Sequence, residues 1–131
     1  MCERRIPGRH QCSHLDSFEK RSLVRRAKRT LADATRSIVV SVASVWEIVV
    51  KHQAGKLVFH MSLELAMDQI LYRSPWTIAP ITSEHLPVLA TLPLLHKDPF
   101  DRILIAQARC QNLTIITPDE KIRNYDVATL W

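Results

Sequence analysis

Ile38-Val39-Val40-Ser41-Val42-Ala43-Ser44-Val45-Trp46-Glu47-Ile48-Val49-Val50 is the stretch whose reading decides the fold class. Its first three residues are β-branched and uninterrupted by polar side chains, the pattern of a short strand buried on both faces. From Val42 the spacing changes: Val42, Val45, Trp46, Val49 and Val50 recur at three and four, which predicts a helix with an apolar stripe. That helix should end near Gly55, the residue best suited to a left-handed C-terminal position. A buried strand running straight into a helix is the repeating unit of an α/β fold on a parallel sheet.

The rest of the chain repeats the alternation. Phe18, Leu23, Val24, Ala27, Leu31 and Ala34 predict an amphipathic helix over Ser17 to Ala34 with a basic outer face. Helices follow at Ser62 to Tyr72, from a Ser83 cap through Leu92, and from Asp98 to about Gln111, with a short one beginning at Asp119. Strands are expected at Trp76 to Ile78, Leu113 to Ile116 and Val127 to Trp131. Residues 1–15 show no period that would bury a face and read as a poorly ordered segment. Residues 16–131 form the domain.

With 131 residues, 47% of them hydrophobic, the chain can bury one core and has no need of a second domain. No run approaches the roughly 18 apolar residues of a membrane span, and the start lacks a secretory apolar run, so the expected location is the cytoplasm. Cys2, Cys12 and Cys110 are too scattered for a disulfide framework. The net charge of +5 is unevenly placed. Residues 1–36 hold ten Lys and Arg against four acids, a net of +6, and the remainder nets −1. That excess fits a nucleic-acid patch and fits a solvated helix face equally well.

Two glycines cannot build a phosphate loop or a dinucleotide fingerprint, and no Ser or Cys sits in a nucleophile elbow. Carboxylates remain. Glu47 is the lone charge in its apolar run, one turn after a strand, where sheet edges of this class hold ligands; a solvent-facing helix residue is the other reading. Asp98 and Asp101, three apart, share a helix face suited to a hard cation such as Mg²⁺. Yet Asp98 as N-cap, Pro99 at the first helical position and Asp101 two further on also make an ordinary helix start. Asp119 follows a strand and also fits a capping box. Convergence favours the functional reading, since Glu47 and Asp119 each follow a strand and could meet at one sheet edge with Asp101. His10, Cys12 and His14 with Cys2 match no zinc spacing. Trp46 and Phe100 are read as core.

Four blocks now resemble a known family: Val42-Ala43-Ser44-Val45-Trp46-Glu47-Ile48, Gly55-Lys56-Leu57, His96-Lys97-Asp98-Pro99-Phe100-Asp101-Arg102 leading into Leu104-Ile105-Ala106-Gln107-Ala108, and Leu113-Thr114-Ile115-Ile116-Thr117-Pro118-Asp119. In that order they are similar to the PIN-domain toxins of VapC type. The resemblance implies an α/β/α sandwich that clusters acids around one or two Mg²⁺ or Mn²⁺ ions and hydrolyses RNA, a VapB-like antitoxin as partner, and a homodimer. By position the family's acids fall on Glu47, Asp101 and Asp119, with Asp98 accessory; the ions would polarise the phosphoryl group and activate water.

The departure lies at the start. The family opens with a strand ending in Leu-Asp-Thr, whose aspartate is a principal metal ligand. Here the corresponding stretch is Arg5-Ile6-Pro7-Gly8-Arg9-His10, with no aspartate and a proline unsuited to a central strand. The first strand is therefore expected to be missing or altered, as a frameshifted or misassigned start would leave it. The expected function is a metal-dependent ribonuclease impaired by the loss of one acid. The alternative is a catalytically defective homologue that binds an antitoxin or nucleic acid without cleaving. A basic nucleic-acid-binding module resting on residues 1–36 is a third reading.

Overall fold

A computed structural model describes the backbone of residues 2–4 and 17–131, and side chains from Arg25 onward. The elements run β1 Cys2–Arg4, α1 Ser17–Ala32, β2 Ile38–Ser41, α2 Val42–Gln53, α3 Leu63–Asp68 and a π-helical turn Gln69–Arg73. Then come β3 Thr77–Ala79, α4 His85–Thr91, α5 Pro99–Gln111, β4 Leu113–Ile116, α6 Glu120–Arg123 and β5 Thr129–Leu130. This is the mixed helix-and-strand architecture the sequence implies.

The five strands form one sheet in the order β3-β2-β1-β4-β5. β2 pairs parallel with β3, and β4 pairs parallel with β5. β1 lies between the two pairs and runs antiparallel to both neighbours, so β2 and β4 point the same way. Glu3 lies opposite Ile38 and Thr114, and Arg4 opposite Leu113. The chain therefore leaves Arg4 at the edge where β2 and β4 begin. The central position is filled by an inverted strand, Cys2–Arg4, so the first strand is altered in direction and not missing. Its backbone pairs with β2 and β4 and so satisfies the N–H and C=O groups that those strands turn toward each other. The remaining expectations for residues 1–15, disorder and the rejected zinc spacing at His10, Cys12 and His14, fall outside the described residues.

Helices cover both faces. On one, Ala27 and Leu31 of α1 pack with Ile38, Ile116, Leu130, Trp76 and Trp131. On the other, Ile103 to Ala108 of α5 are all buried and meet Ala43, Leu92, Leu113, Ile115, Ile122 and Tyr125. Enclosing α5 on every side makes it the scaffold for the residues at its N-terminus. The α1 residues Arg25, Arg26, Lys28 and Arg29 are exposed, so the basic face is a surface. No described helix is long and apolar enough to cross a membrane.

Local differences have local causes. Gly55 takes φ +69 just beyond α2, as its position suggested. The helix expected from a Ser83 cap begins at His85 without a side-chain cap; the buried His85 ring accepts the Thr82 N–H at 2.9 Å and so holds the turn before the helix. Trp46 is not core. It is 57% exposed, and its ring meets Phe100 edge-on at 5.0 Å between centroids.

Candidate active site

Ser41, the last residue of β2, accepts the Ala43 N–H at 3.0 Å and starts α2 without a connecting loop. Its hydroxyl also donates to buried Gln107, whose amide donates to the Pro80 carbonyl at 3.0 Å. This ties α2, α5 and the end of β3 together at the edge where the parallel strands finish. Ala43 and Val45 face the core, and Glu47, half-buried, emerges at the rim. Its Oε1 holds the Lys51 Nζ at 2.6 Å, one turn on.

The start of α5 brings the aspartates. Asp98 Oδ1 accepts the N–H groups of Phe100 at 2.9 Å and Asp101 at 3.3 Å, and Pro99 occupies the first turn where a missing N–H is harmless. Asp98 is thus the cap of α5, and both capping bonds use the same oxygen. Asp101, two residues into the helix, accepts from His96 Nε2 at 3.0 Å through Oδ2. Asp119 follows β4 and caps α6, accepting the Lys121 N–H at 2.8 Å through Oδ1. The capping-box reading fails in detail: Thr117 Oγ1 accepts the Asp119 N–H at 3.1 Å, and Asp119 is itself the cap.

Electrostatics show which acids share a neighbourhood. Burial holds the Asp101 carboxyl above the ordinary range, the charges of Asp98 and Asp119 add to this, and the His96 hydrogen bond opposes it. The Lys51 ammonium is held above its usual value, first by its hydrogen bond to Glu47 and then by the charges of Glu47, Asp98 and Asp101, against a desolvation cost. One cation therefore sits in the field of three carboxylates, and Asp119 joins through Asp101. No three His, Cys, Asp or Glu side chains among the described residues are close enough to form a ready metal cluster.

The donor set nevertheless suits a hard cation. Among the described residues, Glu47 Oε2, Asp98 Oδ2, Asp101 Oδ1 and Asp119 Oδ2 have no hydrogen bond, so each acid keeps one oxygen for a ligand. Among these acids Lys51 is bonded to Glu47 alone. That pair was readable in the i, i+4 spacing from Glu47. His96 and Arg102 stood inside the quoted aspartate block without an assigned role, and Tyr125, distant in sequence, gave no signal.

A family model described as the PIN domain matches residues 14–128. No curated protein and no solved structure matches.

Proposed function

The chain belongs to the PIN-domain family, and from that premise we propose that it is a VapC-like, Mg²⁺- or Mn²⁺-dependent ribonuclease of reduced activity. PIN domains are in general divalent-metal-dependent nucleases acting on nucleic acids. The observation that supports the finer reading is the Lys51 ammonium, bonded to Glu47 at 2.6 Å and held above its usual value in part by the charges of Asp98 and Asp101.

Glu47, Asp98, Asp101 and Asp119 would hold the ion through their unengaged oxygens. Such an ion, when bound, supplies Lewis-acid polarisation of the phosphodiester and neutralises developing charge. The chain's own residues prepare the place. Capping bonds fix Asp98 and Asp119, His96 orients Asp101, and Lys51 neutralises the acids until a ligand takes them over. The reduced activity follows from β1. What supports it is the direction of β1, which places Arg4 at the edge where β2 and β4 begin, whereas the Leu-Asp-Thr strand of the resemblance would bring its aspartate to the other edge.

By the same resemblance the partners are RNA and a VapB-like antitoxin, with a homodimer as the assembly, the cytoplasm as location and residues 16–131 as the domain. A second reading is favoured by the absence of a three-ligand cluster among the described residues: a defective homologue that binds antitoxin or nucleic acid without cleaving. Incubating the purified chain with single-stranded RNA separates the two. Cleavage that requires Mg²⁺ or Mn²⁺ and is lost in Glu47→Gln and Asp101→Asn supports the nuclease. A folded chain that cuts no RNA with either ion removes it in favour of the second reading.

A further inference from the structure

We propose that His96, Tyr125 and Arg102 are positioning residues that hold the Asp101 carboxylate through a directional chain of hydrogen bonds anchored on the end of α4. The inference rests on Asp101 being a metal ligand and adds three residues to that site.

The direction follows from counting protons. Arg102 can only donate, and its guanidinium donates to the carbonyls of Pro93 at 2.8 Å, Leu92 at 3.3 Å and Leu89 at 3.5 Å, which fixes it against the last turn of α4. Its Nη1 also donates to the Tyr125 hydroxyl oxygen at 3.2 Å, and the His96 backbone N–H donates to the same oxygen at 3.3 Å. With two donors aimed at its oxygen, the phenol has one proton left to place. His96 Nδ1 lies 2.8 Å away and is the acceptor for it. A ring nitrogen that accepts carries no proton, so the neutral imidazole bears its hydrogen on Nε2. Nε2 faces Asp101 Oδ2 at 3.0 Å and donates to it.

Each member is held by its surroundings. Tyr125 is 4% exposed and belongs to the α5-side core, and the His96 side chain is 9% exposed. Their rings meet edge-on at 5.3 Å between centroids. The imidazole therefore has no freedom to turn, and Asp101 is engaged through Oδ2 while Oδ1 stays open to a ligand. Outer groups that orient a ligating carboxylate typically change metal affinity or activity by about 10–100-fold when removed. The chain also gives the Arg beside Asp101 a physical role: it fixes the phenol's proton from the far side.

The test combines two measurements on the full chain. Ring-nitrogen NMR of the ¹⁵N-histidine protein, with His96 assigned by its loss in His96→Gln, should show the proton on Nε2 at neutral pH, and Tyr125→Phe should leave it there while shifting the Nδ1 resonance as that nitrogen loses its donor. Mn²⁺ titration followed by electron paramagnetic resonance should show Tyr125→Phe and His96→Ala binding about tenfold more weakly than the unaltered chain, and His96→Gln, whose amide replaces Nε2–H, within about threefold of it. A proton on Nδ1, unchanged Mn²⁺ affinity in His96→Ala, or no rescue by His96→Gln overturns the proposal and leaves the metal reading standing. Failure of the unaltered chain to bind Mn²⁺ is a separate result that removes the metal reading and the positioning role together.

Discussion

Lys51 is the residue on which the proposed site turns, because an ammonium and a divalent ion would draw on the same carboxylates. Its pair with Glu47 at 2.6 Å is mostly solvent-exposed on the lysine side. Exposed i, i+4 pairs of this kind contribute only about 0.3–0.5 kcal/mol to stability, since water screens them and two long side chains must be ordered. Removing the cation should therefore cost the fold little while leaving three carboxylates uncompensated. Lys51→Gln is expected to tighten Mn²⁺ binding several-fold and to move the melting temperature by no more than a degree or two, checked by calorimetric titration and thermal denaturation. Equal or weaker Mn²⁺ binding in the variant would mean that the three acids do not act on a common cation. At this scale the sequence was informative about chemistry and silent about partners. Glu47, Asp98, Asp101 and Asp119 could be named, but the His96 to Tyr125 contact joins residues 29 apart and needs the fold to be seen.

Elements explain which sequence readings held. β2, α2, α5 and β4 carry long apolar periods or clear punctuation, and Asp98-Pro99 starts α5 where capping chemistry puts it. Trp46 shows where periodicity runs out. α2 is apolar on more than one side, so a stripe at i, i+4 and i+8 through Val42, Trp46 and Val50 is as regular as a core stripe, yet these three face outward while Ala43 and Val45 face in. The pattern specifies a helix without specifying which face is covered. The energetic consequence is a sharp contrast between two apolar residues. Trp46→Ala gives up the covered part of a ring that is 57% exposed and one edge-to-face contact, itself worth about 0.5–1.5 kcal/mol beyond the area, so the smaller loss is expected there. Ile105→Ala, at 0% exposure in the middle of α5, should cost about 2–5 kcal/mol. Urea denaturation of the two variants checks this, and a Trp46→Ala loss as large as that of Ile105→Ala would place Trp46 back in the core.

For the whole molecule the deciding feature is β1, the strand that joins the β3-β2 half of the sheet to the β4-β5 half. Three residues pairing through their backbone have no periodic signature, which is why the sequence marked the start of the chain only as anomalous. The pairing makes the two halves interdependent, since each contributes one strand to β1 and neither pairs with the other. Glu3 lies opposite Ile38 on one side and Thr114 on the other, so its backbone is within the ladder. Proline there removes an N–H from a central strand, a position proline does not tolerate. Glu3→Pro should lower the melting temperature substantially, with hydrogen exchange accelerated in β2 and β4 and little changed at the β2–β3 and β4–β5 pairings nearest the sheet edges. Glu3→Thr, which keeps the N–H and favours strands, should leave both measurements near those of the unaltered chain. If Glu3→Pro melts and exchanges like Glu3→Thr, the sheet does not depend on this strand. The reduced activity argued from its direction would then need another cause.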